Sequence, residues 1–327
     1  MKPRIAAACI AAACVALVAG CTVGPNYVRP TVEMPPAWRI DVPKAADLAN
    51  LKWWQQFGDP VLDDLVETAL HDNQDLRIAA ARVDQFIGAL TATGAQLYPQ
   101  IGYGADATRA RATTEGMPPF PPTLSPTFSL YNVSLGAAWQ TDLFGRVRRQ
   151  TEAAQAQVYA SEQGQRGVVL TLVSGVATSY IVLRSLDRQL EIARATAANF
   201  QGTLRIFDAR FRHGIISKTE LTQVRSQVQQ ALAAIPQFEQ AVATQENLLS
   251  ILLGRAPGPI PRGKSIDQLL APQIPGELPA TLLQRRPDIL AAEQNLVAAN
   301  ADIGAARALY YPNLSLQAAL ATTATAT

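Results

Sequence analysis

Between residues 131 and 139, apolar and polar side chains alternate: Tyr131, Val133, Leu135, Ala137 and Trp139 interleave with Asn132, Ser134 and Gly136. A matching stretch precedes it, with Ile101, Tyr103, Ala105 and Ala107 set against Gly102, Gly104, Asp106 and Thr108. Period-two alternation predicts two strands, each with one apolar face. Pro118, Pro119, Pro121, Pro122 and Pro126 lie between them and predict a stiff, exposed connection. Such a pair fits a half-buried hairpin on a soluble sheet. It fits equally well neighbouring strands of a membrane barrel, lipid-facing on one side and lumen-facing on the other.

The period then lengthens. From Arg146 to Arg212 there is no proline, and Val169, Val176, Leu183, Leu190, Ala197, Leu204 and Phe211 recur every seventh residue. Companion positions (Val173 and Tyr180, then Leu186, Ala193, Phe200 and Phe207) shift the seam to the other side near Leu183. A sustained heptad predicts coiled-coil packing. A return helix from near Lys218 places Leu221, Val224, Val228, Ala231, Ile235, Phe238, Val242, Leu249 and Leu252 at helical spacing, with Gln245 in the one gap. Pro236 predicts a kink in this arm. Between the arms, His213 to Ser217 reads as a turn in which Gly214 can take positive φ and Ser217 can cap the second arm. The arms form an antiparallel hairpin, the first reaching up to ~100 Å at ~1.5 Å per residue.

The chain also repeats itself. Asp75–Pro99 and Asp288–Pro312 are equal in length and stand 213 residues apart. Each follows a polar turn (Asn73-Gln74, Arg286-Pro287) and opens on an aspartate placed to cap a helix. Each then runs through an alanine-rich helix and closes on Tyr-Pro, where proline ends the helix. An ungapped match that agrees at both ends predicts a duplication. The first repeat spans 59–254, with its strand pair at 99–143 and its hairpin at 146–253. A linker rich in proline and glycine follows at 255–279. The second repeat, 280–327, reaches its first strand at Leu314 and Leu316; the counterparts of a second strand and hairpin would fall beyond Thr327. The chain therefore reads as C-terminally truncated, a fragment or the product of an interrupted gene.

At the other end, Lys2 and Arg4 precede an apolar run from Ile5 to Val18 and the small residues of Val18-Ala19-Gly20-Cys21. Residues 1–20 read as a signal peptide, and the run falls short of the ~20 residues of a spanning helix. Val-Ala-Gly-Cys resembles the lipobox of bacterial lipoproteins, which implies cleavage before Cys21 and lipid on its thiol. Cys9 and Cys14 fall in the removed part, so the mature chain keeps no cysteine for a disulfide or for thiol chemistry. Thr22, standing where an aspartate would favour the inner membrane in similar enterobacterial lipoproteins, points to the outer one. Beyond the leader no stretch is expected to be apolar enough for a spanning helix, so a membrane crossing would require a closed β-barrel.

Aromatic residues are 6% of the chain and charged ones 17%, a composition that suits long helices packed through small side chains. The net charge of +2 supplies no basic field for nucleic acid. Residues for catalysis are scarce. His71 and His213 stand far apart, and no metal-binding histidine spacing, cysteine pair or glycine-rich phosphate loop occurs. Asp63-Asp64 sits at a helix start, where it complements the dipole; His213 and Ser217 flank a turn and read as cap chemistry. No enzymatic activity, cofactor or metal is expected. Trp53-Trp54 reads as a packing anchor for the N-terminal segment, 21–58.

Four motifs add to the periodicities: Cys21-Thr22-Val23-Gly24-Pro25-Asn26-Tyr27, Trp53-Trp54-Gln55-Gln56-Phe57-Gly58-Asp59-Pro60-Val61-Leu62, Trp139-Gln140-Thr141-Asp142-Leu143-Phe144-Gly145-Arg146 and Leu283-Gln284-Arg285-Arg286-Pro287-Asp288-Ile289. In this order, and covering essentially all of the mature chain, they closely resemble the lipoprotein branch of the outer membrane factor family, the TolC-like channels of tripartite efflux pumps. The resemblance implies a mixed, mainly α fold: a homotrimer sharing one outer-membrane β-barrel above an α-barrel of long coiled-coil helices, with an equatorial collar. It implies an exit duct for drugs or other small toxic molecules. The implied partners are outer-membrane lipid, a periplasmic adaptor (membrane fusion) protein and, indirectly, an inner-membrane RND-type transporter. Gly214, Ile215, Ile216 and Ser217 would form the tip that meets the adaptor. The gate of such channels lies largely in the second hairpin, so its residues are not carried onto this chain. Two alternatives stay open, a type I protein-secretion channel and a non-channel lipoprotein with a docking coiled coil.

Overall fold

The computed structural model describes residues 22–30, 52–113, 125–272 and 285–326. The predicted signal peptide (residues 1–20), Cys21, Pro118, Pro119, Pro121, Pro122, Pro275, Gly276 and Leu283-Gln284 lie outside them. After a 3-10 turn at Trp53–Phe57 come α1 (Pro60–Asp72), α2 (Gln74–Ala95), β1 (Gln100–Arg111), β2 (Thr127–Thr141), α3 (Arg146–Arg212), α4 (Lys218–Leu252), a short 3-10 turn at Ile266–Gln268, α5 (Pro287–Ala308) and β3 (Leu314–Ala326). Helices α2 and α5 begin and end 213 residues apart, the offset of the sequence repeat. Internal contacts divide the chain into two compact units: residues 1–31, 83–162 and 291–327, and residues 32–82 and 163–290.

The first unit carries a three-stranded antiparallel sheet in the order β1-β2-β3. In the same unit α5 turns small residues toward α3, and Ala298 and Ala301 are buried with Ala153 and Ala156. Such side chains let helix backbones approach closely.

The second unit holds the larger core. Leu62, Leu65 and Val66 of α1 are buried with Val173, Val176, Tyr180 and Leu183 of α3 and Leu249 of α4. The heptad positions Val176, Leu183 and Ala197 are buried, while Phe211 at the hairpin end is exposed. Gln245 fills its gap in the α4 seam by donating its amide to the Ser179 carbonyl at 2.9 Å. Pro236 is carried inside α4, which continues to Leu252. Trp54 and Phe57 are buried in this core, with Trp53 packed against it. Arg262 holds the following linker by bridging Asp187 at 2.9 Å and Glu246 at 2.6 Å.

Two expectations change. Helix α3 does contain an 18-residue window apolar and charge-poor enough to cross a membrane. Its apolar side chains include the buried Leu172, Val173, Val176 and Tyr180, which serve the helical seam, and the exposed Leu170 and Val182, which do not. The caps also move. Asn73, not Asp75, caps α2, its Oδ1 accepting from the Leu76 amide at 3.0 Å while its Nδ2 donates to the Leu252 carbonyl at 2.9 Å. A carboxylate could accept there but could not donate. Asp288 lies inside the first turn of α5 and pairs with Arg286 at 2.6 Å.

Candidate membrane sheet, N-terminal strap and helical tip

The register assigns the sheet two unlike faces. Directly paired residues share a face, so Tyr103, Leu135 and Leu320 form one row, Ala105, Val133 and Thr322 the next, and Trp139 joins Leu316 at one margin. The opposite face carries Gly104, Ser134 and Ala321, then Asp106, Asn132 and Thr323. On the apolar face Tyr103 is 91% exposed, Leu135 51% and Leu320 75%. Large apolar side chains lie uncovered in a sheet one layer thick. In water such a face would be a large exposed patch; against lipid it is already solvated.

Strand β2 passes into α3 through Asp142-Leu143-Phe144-Gly145. The Asp142 carboxylate accepts from the amides of Val147 and Arg148, both at 3.0 Å, and caps α3 from several residues upstream. The Phe144 ring stacks on Tyr311 at 4.6 Å between centroids, and Trp139 Nε1 donates to the Leu97 carbonyl at 3.0 Å. The motif read in the sequence as a family signature is thus the hinge chemistry between strand and helix.

Residues 22–29 lie as a strap along this unit. The Val23 amide donates to the Phe144 carbonyl at 3.2 Å, Asn300 donates to the Pro25 carbonyl at 3.0 Å, and Arg149 donates to Asn26 at 2.7 Å. Arg29 pairs with Glu293 at 2.8 Å. Gly24 and Gly304 meet backbone to backbone; a Cβ on Gly304 would stand 2.8 Å from the Val23 carbonyl oxygen. Thr22 rests against Gly145, where the strand gives way to the helix.

The predicted tip residues come together at the end of α3. Gly214 takes φ +72°, its amide donating to Phe211 at 2.9 Å and the Ile215 amide to Arg210 at 3.0 Å. These are the paired hydrogen bonds of a Schellman ending. Ser217 caps α4 reciprocally: its Oγ accepts from the Glu220 amide at 3.2 Å and its own amide donates to the Glu220 carboxylate at 2.8 Å. Ile215 is left 70% exposed on this rigid turn.

The model of the family described as outer membrane efflux protein matches residues 65–255 and 278–327. The chain belongs to that family. The toluene efflux pump outer membrane protein TtgF of Pseudomonas putida is 35% identical over 322 residues, covering 93% of this chain and 65% of TtgF. The cation efflux system protein CusC of Escherichia coli is 32% identical over 312 residues, 93% of this chain and 66% of CusC. The chain thus spans just under two thirds of these relatives' length. Among solved structures, CusC matches at 30% identity with a TM-score of 0.78, covering 93% of this chain and 68% of that one. The Neisseria gonorrhoeae MtrE outer membrane channel in its open state matches at 26% identity with a TM-score of 0.74, covering 93% and 72%. The fold is that of the TolC-like channels, long helices joined to barrel strands.

Proposed function

We propose that the chain forms, as a homotrimer, the outer-membrane exit duct of a tripartite efflux system for small toxic molecules. The observation that carries this reading is the sheet, whose central rows are large and apolar on one face and small or polar on the other, with Tyr103, Leu135 and Leu320 left exposed. On β3 the apolar face runs from Leu314 to Ala324. That is ~34 Å along the strand and ~26 Å upright at a tilt of ~40°, against an apolar band of ~25 Å in outer-membrane barrels. Both outer edges of the sheet are free among the described residues, as in one sector of a barrel that further strands would close. Export is a task of transport rather than catalysis. The efflux reading draws on relatives described as outer membrane proteins of toluene and cation efflux systems.

Two further assignments belong to this reading. Lipid on Cys21 would emerge beside Thr22, at the helix-side margin of the sheet, where inner-leaflet headgroups would lie. The tip, Gly214 to Ser217, would dock a periplasmic adaptor through Ile215, with an inner-membrane transporter reached indirectly.

Purified protein in a planar bilayer should conduct, and absence of any conductance would sink the duct. Cys21→Ser should abolish incorporation of radiolabelled palmitate. A cysteine at Ile215 should cross-link to a co-expressed adaptor, whereas one at the exposed Ile192 of α3 should not; equal yields at both would remove the tip assignment.

A further inference from the structure

The polar face of the sheet carries one formal charge among the described strand residues, Asp106. The two cations of the strands, Arg109 and Arg111, fall by register on the other face. Asn132 donates its Nδ2 to the Asp106 carboxylate at 3.1 Å, and Thr323 donates its hydroxyl to Asn132 Oδ1 at 2.9 Å. One side-chain rung therefore crosses all three strands. The two neighbouring rows toward the helices are small, Gly102-Gly136-Ala319 and Gly104-Ser134-Ala321. Beyond the Gln100-Ala138-Gln317 row at the helix-side margin and these two small rows, the rung is where a carboxylate stands at a fixed height on this face.

We propose that Asp106 makes the duct prefer cations, the three copies in a trimer forming one negative ring on the lumen wall. This rests on the reading of the sheet as part of a closed barrel. A charge on a low-dielectric wall acts on passing ions over about a Debye length, ~10 Å at 0.1 M salt and ~3 Å at 1 M. The wall side follows from the opposite face, where the exposed row Tyr103, Leu135 and Leu320 suits lipid rather than a water-filled lumen.

The test is the reversal potential of the purified 327-residue protein in a planar bilayer under a potassium chloride gradient. At 0.1 M the unaltered protein should favour potassium. Asp106→Asn keeps an acceptor for Asn132 and should lower the potassium-to-chloride permeability ratio roughly twofold or more. Thr323→Lys, which places a cation in the same rung, should lower it independently. Both differences should fade at 1 M salt. Unchanged reversal potentials in both variants, with conductance intact, overturn the proposal. A protein that does not conduct at all overturns the duct reading as well, and so is told apart from that result.

Discussion

Asp59 is 1% exposed yet carries a carboxylate. It survives there because every approach to it is a donor: the Val61 amide at 3.0 Å, the Tyr180 hydroxyl at 2.8 Å and the Lys264 amide at 3.0 Å. Tyr180 in turn accepts from the Gly263 amide at 2.9 Å. One node thus joins the start of α1, the middle of α3 and the linker after α4. Tyr180→Phe deletes the bridging hydroxyl, taking a donor from the buried Asp59 carboxylate and an acceptor from the half-buried Gly263 amide, which should cost about 1–3 kcal/mol in urea unfolding. Burial first, and then the hydrogen bond to Asp59, push the Tyr180 pKa from 10.0 up to about 12. The raised value makes the associated stability fully present below about pH 10. It is lost as pH rises from 10 to about 12, because tyrosine ionises there in the unfolded chain but not in the folded one. The slope contributed is at most about 1.4 kcal/mol per pH unit, and the Phe variant should lack it.

At the scale of elements, the strap and the helices show what small residues permit. Gly304 lets residues 22–29 lie directly on α5. Gly304→Val would drive a branched side chain into the Val23 carbonyl and the Arg149 side chain, which stands 3.0 Å from the place of a Cβ. The strap should lift, exposing the Tyr27–Arg29 stretch to limited proteolysis while the helical core of the second unit keeps its unfolding midpoint. If cleavage is unchanged, the close approach is not what holds the strap.

For the molecule as a whole, the deciding property is which face of the sheet meets lipid. Leu320 and Ala321 are adjacent in β3 and fall on opposite faces. Leu320→Arg would put a cation at mid-height against hydrocarbon, a cost of roughly 2–4 kcal/mol. Ala321→Arg would put it toward the lumen at little cost. Outer-membrane fractionation and heat-modifiable migration should therefore separate the two variants, with only Leu320→Arg losing the inserted form. Equal behaviour would mean that the sheet does not stand in a membrane as proposed.

Much of the architecture was legible in one dimension because it obeys a period. The heptads of α3, the alternation of β1 and β2, the glycine turn at Gly214 and the repeat that returns as α2 and α5 are all local patterns, and local patterns survive without knowledge of partners. Strand β2 starts earlier than its alternation suggests, at Thr127, because Phe128 and Leu130 break the polar face and only pairing with Ala110 and Thr108 reveals them as strand. The capping carboxylate Asp142, the donor-ringed Asp59 and the Asn73 cap were likewise hidden, since each depends on partners fixed by folding. Tertiary structure alone decided the Asp106-Asn132-Thr323 rung, because a register between strands distant in sequence is written in no local period. The sequence by itself determined which segments are helix or strand and which strand face is apolar. Only the fold decided which polar side chains meet, and so where the charge on the wall stands.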